Sequence, residues 1–184
     1  MDLTEKTLST EKIYDGVIIH VRRDKVLLPN GHTSTREIVE HPGGVGILAL
    51  EADGTVLLVR QYRYAFGRTL LEIPAGKREP GEEPFVTARR ELREETGIFL
   101  PESAFTHVCT TQDARIAAYR DGTVWRMVIV LFRARLERLP ELKPSAESLQ
   151  LQFFTPEELS ALNLVITHRD LILRWAEENG GKQL

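Results

Sequence analysis

Cysteine is almost missing from this 184-residue chain. Cys109 stands alone, so no internal disulfide can form, and its apolar, strand-like surroundings point to a packed core thiol. No apolar run approaches the roughly 18 residues of a membrane span. The N-terminus is charged rather than signal-like, so a cytoplasmic location is the default expectation. Positive charge is not in excess either. The formal net charge is −3, which supplies no overall basic field for nucleic acid. Internal repeats and low-complexity segments are also lacking. What is left is 42% hydrophobic and 28% charged, enough for one domain with a small appended sheet.

Residues 1–12 are polar and unpatterned, which fits a tail or the start of a first strand. From Ile13 the signals are strand-like: Val17, Ile19 and Val21 alternate with Ile18, His20 and Arg22, and Val26-Leu27-Leu28 continues the run. Pro29-Asn30-Gly31-His32 reads as a tight turn, because Asn-Gly supplies positive φ, and Thr33 to Glu40 returns as a strand. His41-Pro42-Gly43-Gly44 is a cluster of breakers. It divides the chain into an antiparallel strand meander over 1–42 and a main domain over 43–184.

In the main domain, Val45 to Ala52 and Thr55 to Tyr62 read as apolar strands joined at Asp53-Gly54. Leu70 to Ile73, Phe105 to Thr110, a long Thr123 to Leu136 and Leu149 to Phe154 follow as strands. Gln112 to Gly122 and Pro140 to Glu147 read as polar loops, the first of them placed near the site. Thr155-Pro156-Glu157-Glu158 is a helix start with a capping threonine and a glutamate that reaches back, and a last helix runs from about Thr167 to Asn179.

The chain is organised around Gly76 to Ile98. Its second half reads as one helix, with Pro84 in the first turn and Gly97 at a left-handed end. Phe85, Ala88 and Leu92 form the core-facing stripe. At about 100° per residue, Glu91, Glu94 and Glu95 fall together on an adjoining arc, and Glu82 or Glu79 can reach the same region from the preceding loop. Carboxylates so grouped repel one another. Arg90 can pair with Glu94 one turn on, but one arginine does not neutralise the group, whereas a hard divalent cation with oxygen ligands would. A solvated acidic helix face is the plain alternative for an arbitrary E-x-x-E-E.

The residues also fit a longer pattern: Gly76, five residues, Glu82, seven residues, Arg90-Glu91, an aliphatic, any residue, Glu94-Glu95, any residue, Gly97 and an aliphatic. That pattern is the Nudix box, and the chain resembles the Nudix hydrolase family. The resemblance implies an α/β fold, a Nudix α/β/α sandwich with a mixed sheet, here preceded by a small N-terminal antiparallel sheet. It also implies Mg²⁺-dependent cleavage of a nucleoside diphosphate linked to a second group, with Mn²⁺ as a possible substitute ion.

Arg36 to Gly43 (R-E-I-V-E-H-P-G), Arg60 to Tyr64 (R-Q-Y-R-Y) and Leu71 to Gly76 (L-E-I-P-A-G) are similar to the ADP-ribose and nucleoside-diphosphate-sugar pyrophosphatase subgroup. In that subgroup the leading sheet is implied to exchange across a homodimer and help form the partner's substrate pocket. Arg36 and Arg63 match substrate-contacting arginines, Gln61 matches a polar contact, and Glu37 faces the base or ribose. Guanidinium forks suit phosphate oxygens, although solubility on an edge strand is an equal reading of Arg60 and Arg63 taken singly. Tyr64 and Phe66 could stack a nucleobase, but aromatics at a strand end are more often core.

The expected metal set is Glu91, Glu94, Glu95 and the carbonyl of Ala75, with Glu82 orienting the box or completing an outer shell and Arg90 steadying Glu94. The resemblance places the glutamate that handles the attacking water on the loop before the late strand, where Glu147 is favoured over Glu141. One departure concerns the loop after the box. Thr110-Thr111-Gln112-Asp113-Ala114-Arg115 lacks the proline-containing turn usual in enzymes that prefer ADP-ribose, so GDP-mannose and other nucleotide sugars stay in view. Two other readings are weighed: a nucleoside triphosphate sanitiser of the same fold, and a non-catalytic module that senses ADP-ribose.

Overall fold

A computed structural model describes residues 2–111, 115–118, 124–126, 129–137 and 141–179. Two compact units are formed, Met1–Pro42 and Gly43–Leu184.

The first unit is an antiparallel sheet in the order β1 (Lys6–Asp15), β2 (His20–Leu27), β3 (Thr33–Glu40). The strand β1 covers most of the stretch whose polar sequence carried no pattern. The apolar residues Val17 to Ile19, expected to continue a strand, instead fall in the β1–β2 connection, which is closed by Gly16 N–H donating to the Ile19 carbonyl at 3.0 Å. All of β1 is exposed, so backbone pairing with β2 holds it and no alternation of burial marks its sequence. The Asn-Gly turn forms as read. Gly31 takes a φ of +84°, and the His32 N–H donates to the Asn30 side chain at 3.1 Å. Ion pairs lace this sheet: Arg23 reaches Glu37 at 3.1 Å, and Arg22 pairs with Glu40.

The second unit is built on a mixed sheet of seven strands. Its main path is β12 (Ser148–Phe154), β5 (Val56–Arg63), β4 (Gly44–Leu50), β11 (Ile129–Arg135) and β8 (Phe105–Thr111). Strand β6 (Arg68–Glu72) pairs with β5 and β7 (Ala75–Lys77) with β4. The β4–β11 pair is parallel and the rest antiparallel. The central strands read as continuous apolar runs because both of their faces are covered. Val45, Ile47 and Ala49 of β4, with Val130 and Phe132 of β11, pack with Ala88 and Leu92 of helix α1 (Pro84–Thr96). Leu48, Leu50, Leu58 and Leu131 pack with Ile172 and Trp175 of helix α3 (Ile166–Asn179), and with Leu159 of the short α2 (Pro156–Leu159). The layers are helix, sheet, helix. Truncating the fully buried Leu92 to alanine would cost about 2–5 kcal/mol, since the space it leaves cannot refill.

The long strand expected over Thr123 to Leu136 is two strands. Its first part, β10 (Val124–Arg126), pairs with β9 (Arg115–Ala118) in a separate small ribbon. That ribbon puts a strand inside the stretch read as a loop from Gln112 to Gly122; residues 112–114 and 119–123 lie outside the described ones. Cys109 is a half-buried free thiol packed against the α3-side core. The α2 start has its capping box as read, but the helix ends within one turn.

Candidate active site

Helix α1 presents the acidic residues, and its two ends fix their height. Pro84 supplies a preset φ at the first helical position. At the other end Gly97, at φ +76°, lets its N–H return to the Arg93 carbonyl at 2.9 Å. The stripe of Ala88 and Leu92 holds one side of the helix on β4 and β11. Glu91 packs against Gly76 of β7 so closely that a Cβ there would lie 1.9–2.2 Å from the carboxylate atoms. Any side chain at that position would have to displace the Glu91 carboxylate.

Arg90 is the hub of the acidic arc. The helical spacing pairs it with Glu94, but that contact is the longest it makes with a carboxylate, 3.3 Å to a side chain that is 60% exposed. Its fork goes to Glu82, with Nε donating to Oε1 at 3.0 Å and Nη2 to Oε2 at 2.9 Å. Nη1 donates to Glu91 at 2.7 Å. Glu82 also accepts from the Thr87 hydroxyl at 2.8 Å and the Glu79 N–H at 3.2 Å. These donors, the Arg90 fork foremost, hold the Glu82 carboxyl down to about 2. With its oxygens so occupied, Glu82 braces the loop before α1 against the helix.

Glu95 sits on the other side of the arc, in drier surroundings. It accepts the Ala75 N–H at 3.0 Å and the Gln61 side-chain amide at 3.2 Å. Burial, helped by the charges of Glu72 and Glu91, pushes its carboxyl up to about 7 against the pull of the Ala75 hydrogen bond. Burial likewise raises Glu91, and Arg90 opposes the shift. Gln61, expected to touch substrate, is buried and spends its amide on Glu95.

Arg63 lies at the end of β5. Arg60 is paired on both sides, with Gln150 of β12 and Leu71 of β6, and so is not on a sheet edge, whereas Arg63 pairs only with Arg68 of β6. The Arg63 guanidinium donates from Nη2 to Glu72 at 2.7 Å. Burial disfavours its charge, but the Glu72 hydrogen bond and the fields of Glu72, Glu95 and Glu147 raise its pKa. Glu72 was not singled out in the sequence; the signal was there, a carboxylate inside the apolar run Leu70 to Ile73. Tyr64 and Phe66 stand in a single 3-10 turn just beyond, with Tyr64 91% exposed, so neither is core.

The loop before β12 separates the two candidate bases. Glu147 is exposed and directly precedes Ser148, which is in register with Gln61, and its charge is felt at Arg63. Glu141 is exposed and faces Lys143 at 3.9 Å, in a cavity of about 920 Å³ that also includes Gly97 and Phe99 at the C-terminal end of α1. In the first unit, Arg36 grips Glu5 with Nε at 3.0 Å from Oε2 and donates to Ser34 at 2.9 Å, while Glu37 accepts from Arg23.

As they stand, no three acidic, histidine or cysteine side chains among the described residues converge closely enough to hold an ion. The donor chemistry nevertheless suits a hard divalent cation. Glu91, Glu94 and Glu95 offer only oxygens, and a cation bound among them would favour the charged forms of Glu91 and Glu95 that burial disfavours.

Known proteins resemble this chain in sequence and in fold. The NUDIX domain family matches residues 40–175, and the nucleoside diphosphate sugar hydrolase N-terminal domain matches residues 5–39. The chain is 53% identical over 95 residues to an ADP-ribose pyrophosphatase of Bacillus subtilis (strain 168), a match covering 52% of this chain and 51% of that one. It is 52% identical over 93 residues to a methanol dehydrogenase activator of Bacillus methanolicus, covering 50% of each chain. An ADP-ribose pyrophosphatase of Mycobacterium tuberculosis is 48% identical over 94 residues, covering 50% of this chain and 45% of that one. The chain thus spans about half the length of the curated relatives it matches. A solved structure described as "Crystal structure of ADP compounds hydrolase" superposes along the full length of both chains with a TM-score of 0.64 and 17% identity, which is a likeness of fold.

Proposed function

The chain belongs to the NUDIX domain family, and from that membership we propose that it is a pyrophosphohydrolase of nucleoside diphosphate sugars, with ADP-ribose or a close relative as substrate. The carrying observation is the arc of Glu91, Glu94 and Glu95 beside Gly76 of β7, with Glu147 directly before Ser148, the residue paired with Gln61 across the sheet. The matching N-terminal domain and the relatives named as ADP-ribose pyrophosphatases support the substrate class.

Glu91, Glu94 and Glu95, with the carbonyl of Ala75, would hold Mg²⁺, with Mn²⁺ able to substitute. Bound there, the ion supplies charge neutralisation at the pyrophosphate and a more acidic attacking water. The chain's own groups do the rest. Arg63 meets the pyrophosphate with fixed guanidinium charge, and Arg36 and Glu37 of the first unit are assigned as substrate contacts on the subgroup resemblance alone. Gln61 and the Ala75 N–H hold Glu95 in place, and Arg90 with Glu82 keeps the acidic arc at its height. Glu147 takes the proton of the attacking water as a bond forms from water oxygen to phosphorus. The anhydride P–O bond breaks, releasing a nucleoside monophosphate and a sugar phosphate.

We also assign the first unit to a homodimer interface that helps shape the substrate pocket, since its wholly exposed β1 is backed by β2 alone. A cytoplasmic location fits a small-nucleotide substrate, and none of the described helices is long and apolar enough to cross a membrane.

The test is kcat/KM over a panel of ADP-ribose, GDP-mannose, other nucleotide sugars and nucleoside triphosphates, with Mg²⁺ and after chelation, paired with the elution volume at micromolar protein. The proposal expects ion-dependent cleavage of one or more diphosphate sugars by a dimer. Preference for triphosphates would replace it with a sanitising role, binding without turnover with a sensor, and a monomeric elution volume would remove the dimer.

A further inference from the structure

Behind Arg63 lies a second polar group that the reaction described above does not use. Glu72 ends β6 and is 2% exposed, and His168, in the first turn of α3, is 7% exposed. The His168 Nδ1 atom stands 3.8 Å from the Glu72 Oε2 atom that accepts from Arg63. Neither His168 Nδ1 nor Glu72 Oε1 has a hydrogen-bond partner among the described residues, although both atoms are fully enclosed. Buried polar atoms left bare in this way are rare and call for an explanation.

The placement is rigid. The chain just before α3 clamps β6 from both sides of one residue: Leu71 N–H donates to the Asn163 carbonyl at 3.1 Å, and Val165 N–H donates to the Leu71 carbonyl at 2.9 Å. His168 N–H then returns to the Val165 carbonyl at 3.1 Å. The histidine is thereby held beside the residue that follows Leu71, with its side chain almost wholly enclosed. A core histidine in a first helical turn could face apolar neighbours alone. This one faces the carboxylate that carries an arginine.

We propose that Glu72 and His168 form a buried positioning pair that fixes the Arg63 guanidinium in the orientation in which it receives the substrate's pyrophosphate. The proposal rests on the reading of Arg63 as a phosphate-binding residue. Arginine has many rotamers, and a guanidinium tied at Nη2 to a rigid carboxylate is held ready with its other donors free of partners among the described residues. Glu72 can do this only as an anion in a dry place, and burial raises its pKa. A second donor is therefore needed. Burial pushes His168 down to about 4, so the ring is neutral and can carry its proton on Nδ1, facing Glu72 directly or through one trapped water.

KM and kcat for ADP-ribose with Mg²⁺ would be measured for the unaltered protein, Arg63→Ala, His168→Leu, His168→Asn, Glu72→Gln and the double variant Arg63→Ala/His168→Leu, with folding checked by circular dichroism. Arg63→Ala should raise KM at least tenfold. His168→Leu should raise KM at least fivefold with kcat changed less than twofold. His168→Asn, which keeps a donor near the Nδ1 position, should stay within twofold of the unaltered protein. In the Arg63→Ala background His168→Leu should add nothing to KM. Should His168→Leu fail to fold, Glu72→Gln carries the test, with the same rise in KM expected. A normal KM in His168→Leu beside a raised one in Arg63→Ala overturns the positioning pair and leaves the Arg63 reading standing. An equal rise in KM with and without Arg63 also overturns it, because the effect would then be general to the fold. A normal KM in Arg63→Ala removes the Arg63 reading and the pair with it.

Discussion

Replacing Glu95 with glutamine removes one charge from the driest place in the acidic arc while keeping its shape. The Ala75 N–H retains its acceptor, and Gln61 can turn its amide to present its carbonyl to the new side chain. The magnitude follows from the raised carboxyl. A group that titrates near 4.5 in the unfolded chain and about 7 in the fold keeps its proton longer when folded, so stability falls as pH rises between those values and stays lower above them. A displacement of about 2.5 pH units at about 1.4 kcal/mol each amounts to about 3.5 kcal/mol. For a chain of this size that is about 7–14 °C in melting temperature. In chelator at pH 8, Glu95→Gln should therefore melt up to that much higher than the unaltered protein, and the gap should close towards pH 4.5. Added Mg²⁺ should raise the melting point of the unaltered protein and narrow the gap from the other side. Hydrolysis of ADP-ribose should be lost. A lower melting temperature at pH 8, or hydrolysis near the unaltered rate, would refute both the desolvated carboxylate and its metal role.

Gly76→Ala should displace the Glu91 carboxylate, since a Cβ there would come within about 2 Å of it; kcat should fall at least a hundredfold while circular dichroism shows the fold retained. Glu147→Gln should lower kcat by roughly 10²–10⁴-fold at saturating Mg²⁺ and Glu141→Gln should not; the reverse result moves the base to Glu141, and no change in either places it elsewhere. His168 shifts stability with the opposite sign to Glu95. Its folded pKa, about 4, lies below the unfolded value near 6.5, so stability present above 6.5 is lost as pH falls towards 4, by about 3.5 kcal/mol. The two effects nearly cancel in the unaltered protein, so Glu95→Gln should show a melting temperature that drops steadily from pH 6.5 to 4, and a flat profile would contradict this.

The parts of this molecule that were legible in its sequence are those whose cause is local. Pro84 and Gly97 bound α1, Ala88 and Leu92 seat it, and Asn30-Gly31 closes its hairpin, because each acts within a turn or two of itself. The unreadable parts depend on partners distant in sequence. Strand β1 buries nothing, so its pairing with β2 left no alternation to detect. Arg90 sends its fork across a loop to Glu82 rather than along the helix to Glu94. The resemblance makes Gln61 a substrate contact, and the fold adds a hydrogen bond from its amide to Glu95 of α1, a pairing that the sheet-to-helix layering creates. Glu72 showed itself as a charge in an apolar run, and His168 lies at core spacing between Val165 and Ile172, but nothing short of the Leu71 clamp brings the two together.

The proposed activity is cleavage of a nucleotide-sugar anhydride at this acidic arc. Phosphorus NMR of ADP-ribose incubated with the intact protein and Mg²⁺ tests it directly. The two diphosphate resonances should disappear together and be replaced by those of AMP and ribose 5-phosphate, with no change when Glu95→Gln takes the protein's place. Diphosphate resonances that persist for every nucleotide sugar tried, while a nucleoside triphosphate is cleaved, would contradict it.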